Sequence, residues 1–240
     1  MKFPWRCVLV VAALMAGSLL VAACEEEEQS TPLEALLKAA TLQADDFPSG
    51  VTLDEEFFVT TAEAAEVDPI DPEDALKKFN EWGHLLTYQR FYLEEVEPEA
   101  GVVPTSMTGF SVGVQIYRDA DGAQASMAMS RERTRDPQLA ARMWPSFLQP
   151  SISPLSLADI GDESFAIQVT GTSRYELAEV ETLAVMIRED RLLGSVQRVV
   201  LASEVDIPDR SRIEELETLA DKLHERMEAA LKEQPQAGEG

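Results

Sequence analysis

The order and patterning of this 240-residue chain predict an α+β fold. The expected form is an antiparallel sheet with helices packed mainly on one side, in a single domain after a signal peptide. Three observations predict it. Phe110, Val112, Val114 and Ile116 alternate with small or polar residues, the period of a strand with one buried face. Segments 176–187 and 191–202 read as two strands of a hairpin across Arg188-Glu189-Asp190. Ile213, Leu216, Leu219, Ala220, Leu223, Met227 and Leu231 recur at spacings of three and four, the stripe of a long amphipathic helix.

The remaining elements follow in chain order. A first helix starts at Thr31, where Thr31 and Glu34 form a capping box and Pro32 takes the first helical position. It stops before Asp45-Asp46-Phe47-Pro48-Ser49-Gly50, which is turn chemistry, and Val51 to Thr60 reads as a strand. Acidic loop residues lead to a second helix, capped by Asp71, opened by Pro72, lined by Leu76, Phe79 and Trp82, and ended by Gly83. Leu85 to Val96 is aromatic and β-branched enough for a long strand. After the strand at 110–116, Asp119-Ala120-Asp121-Gly122 turns the chain into a third helix over 122–134. Residues 136–157 read as a short helix near Leu139 to Trp144 followed by a loop, and 163–170 as a strand. A Ser211/Glu214 capping box opens the terminal helix.

The first 24 residues carry an address. Lys2 and Arg6 form a basic start, Val8 to Ala23 run sixteen residues without a charge, and the stretch ends Val21-Ala22-Ala23-Cys24. This is a secretory signal peptide whose end resembles the bacterial lipobox. The Cys24 thiol would take a diacylglyceryl group, and cleavage before it would leave a palmitate-bearing lipoprotein. Two acyl chains, at about 0.8 kcal/mol per buried CH₂, hold a protein on a bilayer where one would not. An uncleaved anchor is disfavoured, because a spanning helix needs roughly 20 apolar residues. The expected organisation is therefore 1–23 signal peptide, 24–30 acidic tether, 31–232 folded domain and 233–240 tail. Cys7 leaves with the signal peptide and Cys24 is acylated, so the mature domain has no disulfide.

Charge narrows the partners. The chain carries 44 acidic and 20 basic residues, a net charge of −24 that becomes −26 once Lys2 and Arg6 leave. Nucleic acid is excluded as a partner, since phosphate binding needs clustered Lys and Arg. The membrane is reached through the lipid on Cys24 alone. Glu25 to Glu28 form a self-repelling spacer beyond it.

Motifs for catalysis are missing. His224-Glu225-Arg226-Met227-Glu228 begins like a zincin helix but lacks its second histidine, and His84 is the one other histidine in the chain. Asp119 to Gly122 begins like a calcium loop, yet the glycine arrives at position four and not six, so a strand-to-helix turn is the reading. Asp68, Asp71 and Asp74 read as turn and cap residues, with a weak calcium site as the alternative. No nucleophile elbow or phosphate loop is present. No cofactor, metal or catalytic residue is expected. Trp82, Tyr88, Phe91 and Tyr92 cluster in sequence and read mostly as core; the alternative is the wall of a cleft for an apolar or carbohydrate ligand.

The order of several short motifs resembles a sensor-type domain carried by many actinobacterial surface lipoproteins, which also forms the extracytoplasmic end of some membrane Ser/Thr protein kinases. Leu42-Gln43-Ala44-Asp45-Asp46-Phe47-Pro48-Ser49-Gly50 is similar to that family's Leu-x-x-x-Asp-Leu-Pro-x-Gly opening. Val114-Gln115-Ile116-Tyr117-Arg118 running into Gly122-Ala123 resembles its strand-to-helix joint. Ile160-Gly161-Asp162-Glu163-Ser164-Phe165-Ala166 resembles its Gly-Asp-Glu-Ala segment, and the hairpin at Arg188 followed by a helix with Leu219-Ala220 resembles its ending. The resemblance implies an antiparallel sheet with helices bordering a cleft, and a role in sensing a ligand or signal. Kinase-linked members carry disulfides that this chain lacks, and the family supplies no catalytic residue to carry over.

The expected function is thus a membrane-anchored extracytoplasmic lipoprotein, non-enzymatic, binding a ligand or envelope partner. A lipid or glycolipid carrier is the alternative, with an acidic cell-wall hydrolase behind it.

Overall fold

The computed structural model describes residues 30–94, 106–174, 179–202 and 210–233. Cys24, the signal peptide and the tail lie outside them. Seven strands form one sheet in the order β1-β2-β3-β7-β6-β5-β4, and every neighbouring pair is antiparallel. The strands are β1 (Val51–Val59), β2 (His84–Glu94), β3 (Ser106–Tyr117), β4 (Phe147–Leu155), β5 (Glu163–Ser173), β6 (Glu179–Glu189) and β7 (Leu192–Ala202). The helices are α1 (Pro32–Ala40), α2 (Thr61–Glu66), α3 (Pro72–Glu81), α4 (Ala120–Arg135), α5 (Pro137–Met143) and α6 (Arg210–Glu233). The first half is a meander ending in β3. After α4 and α5 the chain restarts at the opposite edge with β4 and walks back until β7 lies beside β3. The expected α+β class and antiparallel sheet are what the chain forms.

The main core lies under α1 and α6. Leu36, Leu37 and Ala40 of α1 and Leu216, Leu219, Ala220, Leu223 and Met227 of α6 meet the even-numbered side chains Phe110, Val112, Val114 and Ile116 of β3. The α1 capping box forms as expected, with the Thr31 amide donating to Glu34 Oε2 at 2.7 Å. Phe47, delivered by the turn after α1, sits 4.3 Å from the Tyr92 ring and 5.1 Å from Phe110. Glu181 is buried beneath α6 with Arg212 as its ion-pair partner at 2.7 Å, and Gln168 donates to its other oxygen. A buried carboxylate is tolerable only with such company.

The two helices of the main core share one side of the sheet. On the other side α4 and α5 cover an end and a flank. Ala123 and Met127 of α4 meet Tyr117 and Leu193, while Trp144 and Phe147 beside α5 meet Ile167, Val169, Val180 and Ala184.

Three local readings need correction. Residues 61–66 form α2, capped by Thr60 and Glu63, where a loop was expected; six residues are too few to display a helical period. Residues 147–155 form β4 and not a loop. Pro150 and Pro154 hide it in the sequence, but an edge strand tolerates proline because one side of its backbone pairs with nothing. Ser211 lies inside α6, which already includes Arg210, and Glu214 accepts from Arg210 Nε at 3.0 Å.

Candidate functional site

Strand parity decides which side chains reach which face. In β2, Tyr88, Arg90 and Tyr92 point at the α1 side. There the Arg90 guanidinium pairs with Glu56 at 2.9 Å and donates to the Leu42 carbonyl, which also accepts from the Tyr92 hydroxyl at 2.7 Å. Glu56 accepts from the Tyr88 hydroxyl too, and that bond holds its carboxyl below the usual carboxylate range. Burial pushes the Tyr88 hydroxyl up to about 12. These polar groups are all engaged in structure.

The opposite face has a different character between β1 and β7. Phe57, Gln89, Gly113 and Ser195 follow one another across four strands as register partners. The next row is Glu55, Phe91, Ser111 and Gln197. From β2 to β7 these rows carry no ionisable side chain. Phe57, half-buried, stacks on the buried Phe91 at 5.8 Å with 27° between the rings, an apolar patch at the β1 side whose exposed part is Phe57. Gln89, Ser195 and Gln197 are half-buried, and Ser111 is 9 % exposed. Among the described residues, the side chains of Gln89, Ser111, Ser195 and Gln197 find no hydrogen-bond partner. Their polar atoms stay within reach of water, since the buried unpaired side-chain nitrogens among the described residues are Nε of Arg188 and of Arg198; the row can therefore exchange water for a ligand.

One end of this floor is closed by helices. The Tyr117 hydroxyl donates to Gln115 Oε1 at 2.6 Å and lies 2.8 Å from Ser126 Oγ of α4; burial pushes its pKa upward. Gly122 sits against the Trp82 carbonyl so closely that a Cβ would collide with it, which brings the start of α4 onto the end of α3. Asp68, in the loop between α2 and α3, accepts from the amides of Ile70 and Asp71, both at 2.9 Å, and pairs with Arg133 of α4. Arg142 of α5 donates to the Ile70 carbonyl. Two arginines from α4 and α5 thus clasp the α2–α3 loop and fix the wall beside the open rows.

His84 is buried beneath that wall. Its ring nitrogens lie 3.0 Å from Thr61 Oγ1 and 2.8 Å from Thr87 Oγ1, and burial lowers its pKa to about 4. It is a neutral tie between α2 and β2. His224 instead lies on α6, 3.0 Å from Glu189. Asp119 caps α4 by accepting from the Gly122 amide at 2.9 Å, and Asp71 caps α3 by accepting from the Asp74 amide at 3.1 Å. Among the described residues no group of three or more His, Cys, Asp or Glu side chains could hold a metal ion.

The four aromatics singled out in the sequence divide between the faces. Tyr88 and Tyr92 are core residues under α1. Phe91 lies on the open side with Phe57, and Trp82 packs at its helical end beside Tyr117. Gln89, Ser111, Ser195 and Gln197 carry no motif that marks them in the sequence. Their signal was present as the polar half of the alternation in β2, β3 and β7, a half that is ordinarily plain solvent-facing surface.

No family model and no curated protein matches the chain. Among solved structures, the extracellular domain of PknH from Mycobacterium tuberculosis is similar with a TM-score of 0.47 and 9 % identity, over 80 % of this chain and 96 % of that one. At that distance the likeness speaks to neither family nor ligand. No helix among the described residues is long and apolar enough to cross a membrane.

Proposed function

We propose that the chain is an extracytoplasmic lipoprotein, held on the bacterial cell membrane by a lipid on Cys24, whose domain binds a ligand or envelope partner without catalysis. The binding surface is the open face of the sheet, walled by α4 and the clasped α2–α3 loop, with Phe91 as one of its aromatic residues. The observation that carries this reading is the unpartnered polar row. A fold that satisfies the buried Glu181 and Arg90 leaves Gln89, Ser111, Ser195 and Gln197 without partners among the described residues, so their donors and acceptors are available to a ligand in exchange for water. A lipid carrier needs a continuous apolar lining, and this floor is polar. A hydrolase needs two opposed carboxylates, and the rows from β2 to β7 offer none.

The anchor is tested by Cys24→Ala, which should abolish incorporation of labelled fatty acid; retained label would contradict it. The site is tested on the mature chain extracted from its own membranes. Native mass spectrometry should show a non-covalently held molecule that is lost from Ser195→Trp, whose indole would lie across the floor. An adduct unchanged in Ser195→Trp, or robust turnover in a chromogenic hydrolase screen, would overturn the reading.

A further inference from the structure

The open face also has a chemistry that selects among ligands, and the following rests on the reading of it as the binding surface. We infer that the ligand is an uncharged saccharide, held by Gln89, Ser111, Ser195 and Gln197 beside the half-buried Phe57, which the buried Phe91 backs.

The floor contains only groups that donate and accept at once. A carboxamide offers two N–H donors and a carbonyl acceptor, and a serine hydroxyl offers one donor and two lone pairs. A phosphate or carboxylate only accepts, so it would use the N–H₂ groups of Gln89 and Gln197 and leave their carbonyl oxygens without a donor from the ligand. An ammonium only donates, and no carboxylate between β2 and β7 meets it. Paired hydroxyls on a sugar ring donate and accept in turn, so they complement the whole row. Charge argues the same way, because a mature chain of −26 repels anions and the floor has no cation to reverse that.

Ser111 is the most sheltered point of the row. It is 9 % exposed, faces the same side as Phe91 and Gln197, and its hydroxyl has no partner among the described residues. Gly113 between Gln89 and Ser195 keeps the centre low, and the Gln89 carboxamide lies over it. A peptide fits less well. Extended peptides gain affinity by adding to the backbone of a sheet edge, whereas the backbone groups of β2, β3 and β7 are already paired on both sides. Strand spacing of about 4.8 Å and a rise of about 3.4 Å per residue put Gln89 and Gln197 roughly 12 Å apart, more than one sugar ring spans.

The test is a side-chain amide NMR titration of the full-length chain in lauryldimethylamine oxide micelles, a detergent without a sugar. The probes are N,N′,N″-triacetylchitotriose, cellotriose, maltotriose, trigalacturonate and trialanine. At least one neutral trisaccharide should shift the Gln89 and Gln197 carboxamide signals saturably. Gln197→Leu should weaken that binding about tenfold or more without lowering the melting temperature, and about 0.5 M salt should leave it nearly unchanged. Trigalacturonate binding more tightly, or trialanine alone shifting the signals, would overturn the saccharide assignment. So would silence from all three neutral sugars. If the natural adduct is still lost from Ser195→Trp in those cases, only the ligand class has failed; if it is retained, the open-face reading has failed with it.

Discussion

The Gln89 side chain rests on the bare backbone of Gly113. A Cβ at position 113 would collide with the Gln89 carboxamide nitrogen and fall 2.9 Å from its carbon and oxygen. The neighbour is the far end of a flexible side chain, so it can yield. Gly113→Ala should therefore change stability by no more than about 1 kcal/mol, since alanine also recovers part of the 0.5–1 kcal/mol that a strand glycine costs. The Gln89 amide signals should nevertheless move. A loss of several kcal/mol in a denaturant melt would show that Gln89 is locked and not available to a ligand.

Arg133 and Asp68 form the clasp that holds the wall. Their side chains are 12 % and 4 % exposed, so removing one partner strands a charge away from water. Arg133→Ala should cost about 3–5 kcal/mol. Pairing it with Asp68→Asn should cost less than the two single changes together, and a double-mutant cycle measures the difference. Strict additivity would mean that the pair contributes no clasp.

The terminal helix should be essential to the fold. Leu219 and Leu223 are buried between α6 and the sheet, and each truncation in a core costs about 2–5 kcal/mol. Against a total of about 5–15 kcal/mol, Leu219→Ala with Leu223→Ala should leave the domain largely unfolded by circular dichroism. A double variant melting within a few degrees of the parent would contradict this packing.

His84 gives the chain an acid-sensitive window. Its folded pKa near 4 lies below the ordinary 6.5, so the unfolded chain binds the proton more readily between those values. Stability should be flat above pH 6.5 on this account and fall as the pH drops toward 4. The loss should approach roughly 3 kcal/mol, at 1.36 kcal/mol per unit. His84→Gln should flatten that limb in denaturant melts at stepped pH; an unchanged slope would assign the sensitivity to other groups.

Much of the fold was legible because its signals are local. The Thr31–Glu34 box, the Asp71-Pro72 opening, the alternation from Phe110 to Ile116 and the stripe from Ile213 to Leu231 each need only their own segment to be read. What stayed hidden depends on neighbours. β4 is a strand because β5 offers it a partner, despite Pro150 and Pro154. Tyr88 and Phe91 look alike in sequence, and register alone sends one to the core and the other to the open face. Gln89 and Gln197 lie more than a hundred residues apart, and only the pairing of β3 with both β2 and β7 brings them onto one floor.

The claim that the open face is where this protein meets its ligand is tested most directly by site-specific photocrosslinking in cells. A benzophenone amino acid is placed at Ser195 on the floor in one strain, and at Glu225 on the exposed side of α6 in another. The account predicts a ligand adduct on the Ser195 protein, reduced by Gln197→Leu, and none on the Glu225 protein. Adducts on the Glu225 protein with none at Ser195 would contradict it.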